Sequence, residues 1–240
     1  MPGLITHAKL FRDSVLSLSR RKEISPYTRS LEILFHNKYF LQYGYFGVIG
    51  PNLFDYIPFQ RRGFLGPELT EFLHSRGLKA TLQNMARKTL IASDYNNEWN
   101  ATRRAFLYGY VSHTIADSMF HPFVFYWSGF PDTSMKKEVY SQRQQFLLFE
   151  YNMDLFFEFF HGGEPYPFSI QDLLPLKRTH GPLMTLDNSV KSLLIEMLRE
   201  TYPAINTVPF LKKAEIPLEN AFMSLDALPY IIKYSYGLKR

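Results

Sequence analysis

The chain has 240 residues, of which 46% are hydrophobic and 17% aromatic, so it can bury a substantial core, and intrinsic disorder is excluded for most of its length. The absence of cysteine excludes disulfides, cysteine zinc sites, iron–sulfur clusters and cysteine nucleophiles, which leaves His, Asp, Glu and Asn as ligands for any metal. The net charge of +5 mildly favours anionic partners such as phosphates, nucleic acid or lipid headgroups, but on charge alone an ordinary basic soluble protein is the better interpretation.

No targeting or membrane-spanning segment is predicted. Lys9, Arg12 and Asp13 interrupt the N-terminal sequence, so it lacks the apolar stretch of a secretory signal, and we expect a cytoplasmic protein. The most apolar segment, residues 146–160, contains three acidic residues and is shorter than the span of about 20 apolar residues that a bilayer requires.

Apolar residues in the first quarter of the chain recur at helical spacing. Thr6 is predicted to cap a first helix that ends near the basic residues 20–22, and a second helix is predicted over residues 30–39. A loop rich in turn-forming residues is predicted to follow and to run to Pro58. The turn formers at its start are Gly44, Gly47, Gly50 and Pro51.

The remainder of the chain also shows helical spacing, and a loop is predicted at residues 127–131. The predicted helices are 67–75, 78–93, 97–121, 135–160, 186–202 and 218–236. Pro122 is expected to end or kink the helix before it. No segment alternates long enough to predict a sheet, and no repeat or linker divides the chain. The sequence therefore predicts an all-α, single-domain helical bundle over residues 1–240.

Three potential metal ligands share one face of the long predicted helix. His113, Asp117 and His121 follow one another at intervals of four residues, and each interval turns the side chain by only about 40°. Their neighbours on the helix are largely apolar, so we expect this polar stripe to face the interior or a cleft.

The next helix repeats this spacing with three acids, Glu150, Asp154 and Glu158, and the surrounding segment contains no Lys or Arg. Buried carboxylates need a cation, and divalent metal ions shared with the histidine stripe would supply it. Zinc suits His, Asp and Glu ligands, with manganese or iron as alternatives. The competing interpretation is that both stripes are solvated faces of amphipathic helices. His36 is expected on a helix surface, and His161 and His180 in loops.

The segment from Tyr108 through His113, Asp117 and His121 to Phe123 resembles the zinc-dependent phospholipase C family, whose bacterial members carry a His-x3-Asp-x3-His-Pro stretch on a helix. Further segments follow in the family's order. They are Thr6-His7, the Gly50-Pro51-Asn52 to Asp55 loop, His74 between that loop and the long helix, and Glu150-x3-Asp154. The resemblance covers residues 1–160, and residues 161–240 are expected to add further helices.

The resemblance implies packed helices around up to three zinc ions. The ligands that it implies are His74, His113 and Asp117 for one ion, His7 and Asp117 for another, and His121 with Glu150 for a third. Asp117 would bridge two ions, because a carboxylate can spread its charge over both.

Two positions depart from the family's pattern. Asn52 stands where the family has an aspartate, so either its carbonyl oxygen is the ligand or Asp55 takes that place. Phe146 stands where the family has a histidine, which leaves Asp154 as a replacement ligand.

The resemblance implies a metal-dependent phosphodiester hydrolase that cleaves a phospholipid, with Asp55 orienting or deprotonating the attacking water. One alternative is a single-strand nuclease, because such nucleases share the family's architecture, and nucleic acid therefore stays open as a partner. Another is a catalytically reduced metal-binding or membrane-associated module, which Asn52 and Phe146 would favour. Peripheral membrane contact is a further expectation.

Overall fold

The computed structural model describes residues 3–20, 25–56, 70, 72–90, 97–129, 136–159, 176–178 and 184–202. These residues form seven α-helices: α1 (Leu4–Ser19), α2 (Pro26–His36), α3 (Lys38–Ile49), α4 (Leu78–Leu90), α5 (Glu98–Ser128), α6 (Lys136–Phe159) and α7 (Asn188–Thr201). A 3₁₀ segment, Gly50–Tyr56, follows α3. The fold is all-α, as the sequence predicts.

A short antiparallel hairpin of β1 (Leu176–Arg178) and β2 (Met184–Leu186) precedes α7, with Leu176 paired to Leu186. The sequence predicted no sheet, because strands of three residues are too short to produce a recognisable alternation. The hairpin is local and does not alter the helical character of the core.

Several predicted elements match the structure closely, and others lie outside the described residues. Helices α4, α6 and α7 fall within the ranges predicted for them. Of the helix predicted at residues 67–75, the structure describes residue 70 and one turn at 72–74. The helix predicted at 218–236, His161, His180 and the side chain of Glu158 lie outside the described part. Among the described helices, none combines the length and apolarity needed to cross a bilayer.

The segment around Gly44 and Gly47 is helical, which corrects the loop predicted there. These glycines allow two helices to pack closely and do not form a turn. A Cβ atom at Gly47 would collide with the carbonyl oxygen of Phe106, and one at Gly109 would collide with the carbonyl oxygen of Gly44. Because glycine has no side chain, the backbones of α3 and α5 can touch here. This contact forms the centre of the core, where Phe46 and Phe106 are fully buried.

Helix α5 continues through Pro122 to Ser128, beyond the end predicted for it. Proline at this position removes the amide that would donate to the carbonyl of Ser118. Ser118 and Pro122 are both exposed, so water can hydrate that carbonyl. The helix therefore extends by two turns and carries part of the predicted loop at residues 127–131.

The start of α1 differs from the prediction in a way that matters for the site. Gly3 is the N-cap residue and provides no capping side chain, whereas Thr6 lies inside the first turn. The carboxylate of Asp154 on α6 accepts hydrogen bonds from the amides of Ile5 and Thr6, at 3.3 and 2.9 Å. A side chain from a distant helix thus performs the capping that the sequence assigned to Thr6.

Replacing Gly109 with Ala should destabilise the protein by about 1–3 kcal/mol, because the added Cβ forces α3 and α5 apart. At an unobstructed helix position the same change would stabilise by about 1 kcal/mol. Denaturant unfolding measures the difference. The control Gln83→Ala, at an exposed position of α4, should stay within about 0.5 kcal/mol of wild type. A Gly109→Ala protein as stable as wild type would contradict the close helix contact.

Candidate metal centre

The site is built around Asp117, a buried carboxylate on α5. Helix α5 also supplies His113 and His121, one turn before and one turn after it, as the four-residue spacing predicts. His7 comes from α1, and His74 from the turn that precedes α4. The structure therefore brings together residues that are up to 114 positions apart in sequence (121 − 7 = 114).

The two oxygens of Asp117 face different histidines. Oδ2 lies 3.0 Å from Nε2 of His113 and 3.7 Å from Nε2 of His74. Oδ1 lies 3.2 Å from Nε2 of His7 and 3.6 Å from Nε2 of His121. The carboxylate thus lies between two pairs of imidazoles, which is the geometry of a bridging ligand.

Backbone carbonyls fix the ring orientation of two histidines. Nδ1 of His113 donates to the carbonyl oxygen of Val48 at 2.7 Å, and Nδ1 of His74 donates to that of Thr70 at 2.8 Å. In a neutral imidazole the other nitrogen then carries a lone pair. These two Nε2 atoms lie 3.3 Å apart. A proton or a cation between them is needed to offset the repulsion of their lone pairs.

The pKa values favour a cation over protons. Burial and the neighbouring His113 lower the pKa of His7 to about 3 and that of His74 to about 4, and burial also lowers the pKa of His121. Burial raises the pKa of Asp117, but the ring nitrogens of His113 and His7 outweigh it and hold that pKa below its usual range. His7, His74 and His121 therefore resist protonation, whereas Asp117 favours its ionised form.

The chemistry and spacing of these groups fit zinc. Both ring nitrogens of His7, Oδ1 of Asp117 and Nε2 of His121 are buried without a hydrogen-bond partner. Ligand atoms arranged tetrahedrally around zinc at 2.0–2.1 Å lie about 3.3 Å apart, which matches the N···O distances at Asp117. His7, His113 and Asp117 offer ligand atoms that all lie within 4.8 Å of one another. This buried group could hold a metal ion.

A cavity of about 150 Å³ adjoins the cluster. Its lining combines the ligand candidates with small polar and apolar side chains. The residues that line it are Pro51, Leu73, His74, Leu78, His113, Thr114, Asp117, Ser118 and His121. A small polar group that enters this cavity would lie directly beside Asp117.

Asn52 and Glu150 are two further residues that the sequence predicts as ligands. Asn52 follows the cavity residue Pro51, and its Oδ1 atom is buried without a hydrogen-bond partner, as expected of an oxygen available to a cation. Glu150 lies on α6 one turn after Phe146, whose ring centre is 6.4 Å from that of His121. Their roles as ligands stay predictions.

The two remaining predicted site residues are Asp154 and Asp55. Both oxygens of Asp154 accept hydrogen bonds at the start of α1, and the side chain is 3% exposed. Asp55 lies in the 3₁₀ segment, but its side chain is outside the described part of the structure. His36 is exposed on α2, as expected of a surface position.

Sequence reasoning missed the carbonyl groups of Val48 and Thr70. They orient the two histidines whose lone pairs meet, yet every residue has a carbonyl, so no residue pattern could indicate them. Only the contact between α3 and α5 brings Val48 to His113.

The protein is thus a helical fold in which a buried carboxylate and four histidines beside a cavity form a group that could hold a metal ion. The family model for zinc dependent phospholipase C matches residues 24–204, and the chain belongs to this family. Comparisons with curated proteins and with solved structures gave no match. The family match extends past residue 160 and includes α7, whereas α1 with His7 lies before it.

Replacing Asp117 with Asn should weaken zinc binding about 10- to 100-fold and lower the melting temperature, because it removes the negative charge between the imidazoles. Elemental analysis, chelator competition and thermal unfolding measure these effects. His36→Ala is the control and should leave all three unchanged. Full zinc occupancy and an unchanged melting temperature in Asp117→Asn would show that Asp117 holds no metal.

Proposed function

We propose that this protein is a zinc-dependent hydrolase that cleaves the phosphodiester bond of phospholipids. Membership of the zinc dependent phospholipase C family supports the class of reaction. The observation that carries the proposal is Asp117, whose two oxygens each face two imidazole nitrogens beside a cavity.

In this proposal His74, His113 and Asp117 would hold one zinc ion, His7 and Asp117 a second, and His121 with Glu150 a third. Asn52 would add an oxygen ligand. Bound zinc supplies Lewis acidity toward the phosphoryl oxygen and lowers the pKa of water.

The protein's own groups would orient the histidine rings and balance the positive charge of bound zinc. The carbonyls of Val48 and Thr70 keep two Nε2 atoms directed at Asp117. Asp117 supplies the negative charge that balances the cations. Asp55, near the end of the 3₁₀ segment, is proposed to orient or deprotonate the attacking water. The buried side of α5 excludes bulk water, which strengthens the electrostatic interactions at the cluster.

Turnover by the zinc-loaded protein tests this proposal. We expect release of diacylglycerol and phosphorylated headgroup from phosphatidylcholine vesicles, and loss of at least about 100-fold in rate in Asp117→Asn, because a group that holds the catalytic metal is removed. His36→Ala should retain full activity. Single-stranded DNA is tested as an alternative substrate. Cleavage of DNA alone would identify a nuclease, and zinc binding without either reaction would identify a non-catalytic module.

We further propose that the protein contacts the membrane that contains its substrate. Large apolar side chains are exposed along the second half of α5. They are Ile115, Met119, Phe123, Tyr126 and Trp127, and we call them the α5 ridge. Met119 and Tyr126 are 71% and 76% exposed, and both lie on the side of α5 opposite Asp117.

The composition of the α5 ridge supports a lipid partner. Between Ala105 and Ser128 the only residue of α5 with a permanent charge is Asp117, which points inward. Leu148 and Phe156 on the neighbouring helix α6 are also exposed. Tyr and Trp side chains are favoured where a protein meets the bilayer interface. An uncharged aromatic surface on the same helix as the candidate site is therefore suited to partial insertion among lipids.

Replacing Met119 and Tyr126 together with Ser should weaken binding to phosphatidylcholine vesicles at least about 10-fold, since each apolar side chain removed from water contributes about 1.5–3 kcal/mol. Sedimentation with vesicles measures the effect. Ile33→Ser, at a 67% exposed apolar position on α2, is the matched control and should bind as wild type does. Zinc content should be equal in all three proteins. Equal vesicle binding in all three would exclude the α5 ridge as the lipid contact.

A further inference from the structure

Neither ring nitrogen of His7 has a hydrogen-bond partner, whereas backbone carbonyls orient the rings of His74 and His113. Its imidazole stacks on that of His113, with ring centres 4.0 Å apart and planes within 9°. Stacking limits the tilt of the ring but does not fix its position along the partner. The place of His7 therefore depends on where the backbone of α1 lies.

The position of α1 is set at its first turn by Asp154. One carboxylate oxygen accepts from the amide of Thr6 at 2.9 Å and from its hydroxyl at 2.7 Å, and the other accepts from the amide of Ile5 at 3.3 Å. Thr6 is fully buried and Asp154 is 3% exposed, so these bonds are shielded from water. Gly3 contacts the same carboxylate, and a Cβ atom there would collide with it.

This cap lies in the same helical turn as His7. The amide of His7 donates to the carbonyl of Gly3 at 3.1 Å, which is the first hydrogen bond of α1. A carboxylate at a helix N-terminus is favoured by the orphan amides and by the helix dipole. Moving the carboxylate would release the amides of residues 5 and 6 and would shift the adjacent imidazole.

We propose that Asp154 is a positioning residue, which caps α1 from α6 and thereby holds the imidazole of His7 against Asp117. This positioning role differs from the role of replacement metal ligand that the sequence comparison with the family left to Asp154. The inference rests on the proposed function only in taking His7 as a zinc ligand. Its structural part, the dependence of His7 on the cap, holds for the metal-free protein as well.

The structure offers a matched control in a second buried aspartate that caps a helix. Asp187 accepts from the amide of Ser189 at 2.8 Å at the start of α7 and is also 3% exposed. Helix α7 carries no proposed metal ligand. Asp187→Ala thus reports what the loss of a buried cap does to stability alone.

Asp154→Ala and Asp187→Ala should both lower the melting temperature. Only Asp154→Ala should weaken the most loosely held zinc ion, by at least about 10-fold in chelator competition. In the metal-free protein, the ring-proton resonances of His7 should shift in Asp154→Ala, because its stacking on His113 changes, and should stay in place in Asp187→Ala. Equal zinc affinity and unchanged His7 resonances in Asp154→Ala would overturn the proposal.

Thr6→Val and Gly3→Ala separate positioning from ligation. Both disturb the cap and leave the carboxylate of Asp154 in the protein. If Asp154 positions His7, each should shift the His7 resonances and weaken zinc binding in the same direction as Asp154→Ala. If Asp154 is itself a ligand, only Asp154→Ala loses zinc, and the proposal is wrong. These two variants also decide the matter if Asp154→Ala does not fold. Failure of wild type to bind zinc would refute the proposed function, while the His7 resonances would still test the cap.

Discussion

The carboxylate of Asp117 is a negative charge removed from water, and the partners that face it among the described residues are histidines, with no Lys or Arg. An uncompensated buried charge costs several kcal/mol, so a stable fold requires a compensating group. The nearest groups are imidazole nitrogens 3.0–3.7 Å away, and burial lowers the pKa of His7 and of His74 far below neutrality. A divalent cation satisfies the carboxylate and the imidazoles at once. The cluster is therefore a point where metal binding would be coupled to folding.

Two contacts between helices determine whether that cluster forms. The glycines of α3 and α5 let the helix backbones touch, and this brings the carbonyl of Val48 to the ring of His113. The cap from Asp154 fixes the first turn of α1, which carries His7. Both contacts act through the backbone, so the packing of the helices determines where the candidate ligands lie. Side chains on loops would not be held as closely.

The sequence predicts the central part of the site well, because it lies on one helix. Four-residue spacing puts His113, Asp117 and His121 on one face whatever the rest of the chain does. His7 and His74 have no such local signal, and only the family resemblance pointed to them. Asp154 follows Glu150 at the same four-residue spacing, yet its carboxylate accepts hydrogen bonds from α1. The bond to Thr6 joins residues 148 positions apart, and no local pattern indicates such a partner.

The errors in predicting the helices have related causes. Gly44 and Gly47 suggested a turn because glycine favours turns, but it also permits close helix contacts, and tertiary packing decides which use applies. Pro122 is predicted to end or kink its helix, and it does not end α5, because it lies at an exposed position where water can hydrate the carbonyl of Ser118. In each case the residue's local preference was correct, and a contact or an exposure outside the local sequence determined the outcome.

The rotation of the stripe along α5 relates the buried cluster to the surface. Each four-residue step turns the side chain by about 40°, and the side chains of His113, Asp117 and His121 are 1%, 9% and 30% exposed. The cluster is thus closed at His113 and open toward solvent at His121. His121 is followed directly by Pro122 and Phe123, where the exposed apolar side chains of the α5 ridge continue. A group that enters the cluster from solvent would therefore meet His121 first and Asp117 one turn deeper.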